Sequence, residues 1–193
     1  MSRIHAHMDP FYNECRAYGR LMELGLNGKI AVHCYGHLTL LPAMEDDLER
    51  KFDVATWDRP DEDFDKPVSE RPPLRAIVKE LVRNDVPFTA NNVKQMLRHL
   101  KKLRRLGIYP MDVRARNYRA GLLVDFSAAI TLPHYLFETL PRWHVSTLQS
   151  DDLLDFDQMI EDAKLGSWVR ATPNPEYLNK LRRPPQKPKT FKW

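Results

Sequence analysis

The stretch of sequence that decides the fold is residues 108–129, which read IYPMDVRARNYRAGLLVDFSAA. A basic amphipathic segment ends just before it, and Asp112 follows in a predicted loop. Asn117 comes five residues later, and a short apolar strand then ends in Asp125-Phe126. Taken singly, each polar residue fits an ordinary turn or strand end. Taken together, they predict a helix, a loop and a strand in that order, with Asp112 and Asn117 in the loop and Asp125 at the strand end.

Length and composition set the class of protein. The chain has 193 residues, of which 42% are apolar and 29% charged, as expected for one globular domain with or without a tail. It contains no apolar run of about eighteen residues, and its first residues lack an apolar signal core, so we expect neither a membrane span nor a secretory leader. Two cysteines exclude a disulfide scaffold and favour a nuclear or cytoplasmic location.

Periodicity and turn residues predict the other elements. Asp9-Pro10 is typical of a helix start, and Gly25 of its end. Apolar spacing predicts a second helix, and Ser150 is typical of a cap for a third. The predicted elements are a helix after Asp9 with a stripe through Phe11, Cys15, Tyr18 and Met22, strands Ile30 to Tyr35 and Leu38 to Leu41 around a Gly36-His37 turn, a strand Leu74 to Leu81, a helix Val93 to Leu106, and a helix from Ser150 to Gly166.

Charge is unevenly distributed along the chain. Residues 45–71 hold eleven acidic and five basic side chains, whereas residues 94–119 hold nine basic side chains and one acid. We interpret the acidic, proline-rich stretch 45–73 as a long surface loop. The basic stripe is expected to be mostly a solvated helix face to which duplex DNA binds weakly, and nucleic-acid binding is the weaker alternative.

The 108–129 pattern resembles the catalytic core of the protein-kinase-like superfamily, in which H-R-D-x-x-x-x-N is followed by a strand and D-F-G. The resemblance implies that Asp112 is a catalytic base and that Arg114 neutralises the transferred phosphate. It implies that Asp112, Asn117 and Asp125 converge in one cleft, where Asn117 and Asp125 hold Mg²⁺ on ATP, and that Phe126 packs inward. If the chain is active its cofactors are therefore Mg²⁺ and ATP, and otherwise it has none.

The same resemblance extends to earlier residues. Glu14 lies on the first helix, where the family has the glutamate that positions the ATP-binding lysine. Residues 77–80 are similar to the last strand of the small lobe as it enters the adenine hinge, which makes Lys79 and Glu80 candidate cofactor-binding residues. The implied fold is α+β, with a truncated small lobe at residues 1–84, a mainly helical lobe at residues 85–170 and a basic, proline-rich, disordered tail at residues 171–193.

Departures from the family pattern bear on activity. Pro110-Met111 stands where the family has His-Arg, and Ser127 replaces the glycine after Asp-Phe. Neither a glycine-rich loop nor an ATP-binding lysine is found before Asp9. We therefore expect weak Mg²⁺–ATP binding and slow or absent phosphate transfer, with Glu14 in solvent or paired with some other residue.

A narrower resemblance rests on FYNECRAYGRL, HCYGHLTL and ARNYRAGLLVDFSAAITLPH. These segments are similar to a group of fungal kinase-like proteins labelled as the Fta-type subunit of the Sim kinetochore complex. Two hypotheses follow. The first is a pseudokinase or truncated kinase that binds protein partners, such as kinetochore subunits, with no role for nucleic acid or membrane. The alternative is an active ATP- and Mg²⁺-dependent phosphotransferase with Asp112 as its base.

Overall fold

The computed structural model describes residues 7–53, 61–83, 89–164 and 169–172. Within these ranges the chain is α+β, as predicted, and its strands form three small antiparallel pairs. The helices are α1 Pro10–Glu23, α2 Pro42–Phe52, α3 Asp61–Phe64, α4 Ala90–Arg105, α5 Tyr135–Thr139 and α6 Arg142–Asp162. The strands are β1 Cys34–Leu40, β2 Leu74–Lys79, β3 Ile108–Tyr109, β4 Tyr118–Arg119, β5 Leu122–Leu123 and β6 Ile130–Thr131. None of the helices in these ranges is long and apolar enough to cross a membrane.

Helix α1 begins as its sequence predicts. The Asp9 side chain accepts a hydrogen bond of 2.9 Å from the Phe11 amide, and Pro10 occupies the first helical position. Its buried face is rotated from the predicted stripe, because Met22 is 42% exposed whereas Glu14 is buried. The rotation turns a carboxylate toward the interior, where it must find a partner.

Strands β1 and β2 form the largest strand pair. They run antiparallel, with Leu40 opposite Leu74 at one end and Cys34 opposite Lys79 at the other. The register shifts near Gly36, whose φ of +131° is open to glycine but strained for other residues. This end of the pair reaches the second half of the chain, since the Val32 amide donates to the Leu123 carbonyl at 3.0 Å.

One apolar core joins the helices to these strands. Helix α4 contributes the predicted stripe and packs against α6 and β3. Tyr18 of α1 meets the fully buried Phe126 edge-on, with 5.2 Å between ring centroids, and Phe156 of α6 is equally buried. The buried side chains of the α4 stripe are Val93, Met96, Leu97, Leu100 and Leu103.

Three expected features differ in the structure. The hairpin with a Gly36-His37 turn is wrong, because β1 runs unbroken through both residues and takes its hydrogen bonds from β2. The loop predicted for residues 45–73 contains most of α2, all of α3 and a 3₁₀ turn at Val68–Glu70. Ser150 does not cap a helix, because α6 begins at Arg142 and the Ser150 hydroxyl donates to the Ser146 carbonyl at 2.9 Å within it.

Some expectations fall on residues that the structure does not describe. The lobe boundary between residues 84 and 85 and nearly all of the predicted tail at 171–193 lie outside the described residues. The division into two lobes and a tail therefore stays a prediction. The predicted helix end at Gly166 is wrong, because α6 already ends at Asp162, with Ala163 as its C-cap.

Candidate functional site

A buried ion pair lies at the centre of the candidate site. Lys79, the last residue of β2, donates from Nζ to Glu14 Oε1 at 2.6 Å and to the Val124 carbonyl at 2.9 Å. The Glu14 side chain is 9% exposed and that of Lys79 26% exposed. The same Glu14 oxygen accepts a hydrogen bond of 3.0 Å from the Phe126 amide. One carboxylate thus joins α1 to the end of β2 and to the residue that follows Asp125.

Local sequence explains why these two side chains meet. Glu14 lies one turn before Tyr18 on α1, so that it shares the buried face of the helix. Lys79 pairs across the sheet with Cys34, the first residue of β1. The long lysine side chain lies along apolar surface, and its Nζ is 5.8 Å from the centroid of the Tyr18 ring. Glu14 was expected either to lie in solvent or to pair with some other residue. It pairs with another residue, which is Lys79.

The Asp-Phe-Ser segment is anchored on the same helix. Asp125 Oδ1 accepts from the Ser127 amide at 2.8 Å, which closes a tight side-chain-to-backbone turn. The Asn13 amide group donates to the Ser127 carbonyl at 2.9 Å. Phe126 is fully buried, so the prediction that it packs inward is confirmed. The position of Asp125 is therefore fixed by its own bond to Ser127 and by the bonds that its neighbours in sequence make to α1 and to Lys79.

The loop from Asp112 to Asn117 is tied together by its own groups. The Asn117 side-chain amide donates to the Asp112 carbonyl at 3.0 Å, and the Asn117 carbonyl accepts from the Val124 amide at 2.9 Å. The Asp112 carboxylate faces two guanidinium groups, with Arg114 Nε at 2.7 Å and Arg116 at 3.7 Å. The first of these is the predicted phosphate-neutralising arginine, whose side chain is 64% exposed.

The sequence-predicted residues fall into two hydrogen-bonded groups that meet at Val124. Glu14, Lys79 and the Asp125 segment form one, and Asp112 with Asn117 forms the other. Glu80 is exposed and is linked to this region by its main-chain amide, which donates to the His33 carbonyl at 2.8 Å. In the described ranges no group of three or more His, Cys, Asp or Glu side chains is placed to hold a metal ion. The shared Mg²⁺ site stays a prediction.

Asp152 is the residue of this region that sequence reasoning missed. It lies on α6 with no exposed surface, and its Oδ1 accepts from the Met111 amide at 2.7 Å. Met111 has a φ of +61°, so this bond holds a strained residue at the start of the Asp112 loop. Burial raises the pKa of Asp152 from 3.8 to about 7. The sequence does contain a signal for its burial, because Asp152 lies four residues before the apolar Phe156 and therefore on the same helix face.

A cavity of about 430 Å³ adjoins the Asp112 loop. Its walls combine both signs of charge, because the loop contributes guanidinium groups and α6 contributes carboxylates. Burial raises the pKa of one of these acids, Asp155. The mixed charge makes this cavity a poor selective site for phosphates, which need an excess of positive groups. The charged side chains on its walls are Arg114, Arg116, Asp155 and Asp162.

Comparison with known proteins identifies the family. The family model described as kinetochore Sim4 complex subunit FTA2 matches residues 1–130. This match covers about two thirds of the chain and includes every predicted site residue, whereas Asp152 lies beyond it. No curated protein and no solved structure matches the chain. Because the matched region spans well over half of the sequence, the chain belongs to the family of kinetochore Sim4 complex subunits described as FTA2.

Proposed function

We propose that this chain is a protein-binding subunit of a kinetochore complex, built on a reduced protein-kinase-like domain that does not use ATP. Its family membership supports protein partners within a complex and a nuclear location. The kinase-like part of the proposal rests on the sequence pattern from Asp112 to Phe126. Its non-enzymatic part rests on how the polar groups of the site are engaged.

The observation that carries the proposal is the state of Lys79. A lysine that binds nucleotide phosphates donates to the ligand as well as to the glutamate that positions it. Here Lys79 Nζ donates to a carboxylate and to a main-chain carbonyl, which together use two of its three donors. Withdrawing Lys79 would leave the buried Glu14 carboxylate without its cation, which is costly. The lysine is therefore better suited to holding α1, β2 and the Asp125 segment together than to exchanging ligands.

The predicted catalytic carboxylates are also engaged. Asp112 lies against Arg114 and Arg116, and Asp125 is bonded to the amide of Ser127. A base that accepts a proton from a substrate hydroxyl must be free to contact that hydroxyl. The bond to Ser127 supports a structural role for Asp125 at the strand end. Asp112 is held only by its ion pairs with the two arginines, because its buried Oδ1 has no hydrogen-bond partner among the described residues.

Phosphoryl transfer is the alternative function, and one observation favours it. The Glu14–Lys79 pair links a glutamate on α1 to a lysine, as the family resemblance implies, although the lysine comes from β2. In this alternative Asp112 and Arg114 act on the substrate, Asn117 and Asp125 hold Mg²⁺, and the nucleotide lies near Lys79 and Glu80. Bound Mg²⁺ would neutralise charge on the phosphates. Lys79 would keep Glu14 and offer its third donor to the phosphates, whereas Asp125 would have to exchange the Ser127 amide for the metal ion.

Recruitment to kinetochores tests the proposal. The chain would be fused to a fluorescent protein, expressed in a host with a labelled centromere marker, and purified through an affinity tag. We expect foci that coincide with the marker, and recovery of named Sim4 complex subunits. The Asp125→Asn variant, which keeps an oxygen for the Ser127 amide but loses the charge that would hold a metal ion, should behave in the same way, because the proposal gives the nucleotide no role. Absence of the wild-type chain from both the foci and the purified complex would contradict the proposal.

A further inference from the structure

A positively charged groove lies beside the last turn of α4. Its volume is about 610 Å³, and a second cavity of about 320 Å³ adjoins it through Arg104, Arg105 and Tyr109. The floor and walls are largely apolar, because they include Tyr109 and Phe137 together with the partly exposed Leu132. Such a surface can bury apolar side chains while guanidinium groups contact acidic ones. The cations that line the two cavities are Arg20, Lys101, Arg104 and Arg105.

The charge on α4 is not neutralised within the described part of the chain. The helix carries six lysine or arginine residues and no acid. Lys101 and Arg105 are exposed, and neither forms an ion pair with a residue that the structure describes. Arg104 donates to the Gln149 carbonyl, and its buried Nε has no hydrogen-bond partner among the described residues. A buried donor of this kind is costly unless a ligand satisfies it.

The acidic segment at residues 45–71 forms ion pairs with basic residues of its own. Several of its carboxylates already have basic partners nearby, so they are poorly placed to neutralise the groove of a second copy. The groove itself contains little negative charge, since Glu138 is the only acid among its described lining residues. The ion pairs within the acidic segment are Glu45–Arg71 at 3.6 Å, Asp47–Arg50 at 3.2 Å and Asp63–Lys66 at 2.6 Å.

We propose that this groove binds an acidic segment of a partner protein, with apolar side chains of that segment packed against Leu132 and Phe137. The inference rests on the proposed protein-binding function and names the chemistry of the partner. Guanidinium groups favour carboxylates because they can donate two parallel hydrogen bonds to them. The apolar walls favour a peptide over duplex DNA, whose phosphate contacts need cations rather than apolar surface.

A matched pair of charge reversals tests the groove. The probe is a fluorescein-labelled peptide of alternating glutamate and leucine, followed by fluorescence anisotropy with the full chain. The test variant is Lys101→Glu with Arg105→Glu. The control is Lys94→Glu with Arg98→Glu, which makes the same change of charge on the same helix face, about 10 Å nearer its start. All four residues are exposed, and circular dichroism would verify that both variants fold.

We expect the test variant to bind the acidic peptide at least about tenfold more weakly, and the control to change the affinity by less than about threefold. Affinity for wild type should fall as salt is added, and a lysine–leucine peptide should not bind. Equal losses in both variants, or no binding of the acidic peptide to wild type, would overturn the proposal. So would tighter binding of a short DNA duplex that depends on the same two residues, or self-association that the test variant abolishes. The proposed kinetochore role fails by a different result, namely loss of recruitment of the wild-type chain.

Discussion

Replacing Lys79 with methionine should destabilise the protein strongly, because it leaves Glu14 buried without its cation. Removing one partner of a buried ion pair costs about 3–5 kcal/mol. Lys79 is 26% exposed and Glu14 keeps the bond from the Phe126 amide, so we expect the lower end, about 3 kcal/mol. Methionine preserves most of the length of the side chain, so the change removes the charge and the hydrogen bonds to Glu14 and Val124 with little loss of packing.

An exposed ion pair on the same helix provides the matched control. Arg20 and Glu23 lie 2.7 Å apart, with side chains 40% and 66% exposed. The Arg20→Met change should cost less than about 0.5 kcal/mol, because exposed pairs contribute little. Urea unfolding of wild type and both variants, followed by circular dichroism, measures the difference.

A double-mutant cycle separates the ion pair from other effects of the substitution. Glu14→Gln in the Lys79→Met background should recover part of the loss, since the uncompensated charge is gone. We expect a coupling energy of about 2 kcal/mol between the two positions. A loss of less than about 1 kcal/mol for Lys79→Met, equal to that of Arg20→Met, would refute the structural role of the pair.

Three further substitutions test other parts of the structure. The pKa of Asp152 is raised from 3.8 to about 7 when folded, so the folded state holds the proton more tightly and stability falls as pH rises across that range. Between about pH 5 and pH 7, Asp152 should make the wild-type free energy of unfolding fall by about 2 kcal/mol. Asp152→Asn keeps an oxygen for the Met111 amide and should remove this fall, as measured by urea unfolding at both pH values. Asp9→Ala removes the cap of α1 and the 2.7 Å pair with Arg75, and should cost about 1–2 kcal/mol in the same assay. Phe126→Ala empties a fully buried site and should lower the free energy of unfolding by about 3–5 kcal/mol.

Each of these predictions has an outcome that contradicts it. An Asp152→Asn variant with the wild-type pH profile would show that Asp152 does not titrate in this range. A neutral Asp9→Ala change would show that α1 does not depend on its cap. A cost for Phe126→Ala below about 1 kcal/mol would place that ring outside the core.

Local patterns predicted the elements whose ends and faces are set by near neighbours. Asp9-Pro10 marked the start of α1, and the apolar stripe of α4 was read correctly from its spacing. Strand β2 was also expected, since its residues are mostly β-branched or apolar. In each case the decisive contacts lie within a few residues or follow from a regular period.

Features that depend on distant residues were not predicted. Glycine at position 36 favours a turn, but hydrogen bonds from β2 keep β1 extended on both sides of Gly36. Glu45 is 1% exposed and lies 3.6 Å from Arg71, which comes from beyond α3, and no local pattern shows this contact. The Glu14–Lys79 pair joins residues 65 positions apart. The sequence indicated both residues as site candidates but not that they would bind each other.

Calorimetric titration of Mg²⁺–ATP into the wild-type chain and into Asp125→Ala tests most directly whether the Lys79 and Asp125 region binds nucleotide. Because Lys79, Asp112 and Asp125 are engaged by protein groups, we predict negligible and equal binding in the two proteins. Micromolar affinity in wild type that disappears in Asp125→Ala would contradict the account and establish a nucleotide site at these residues.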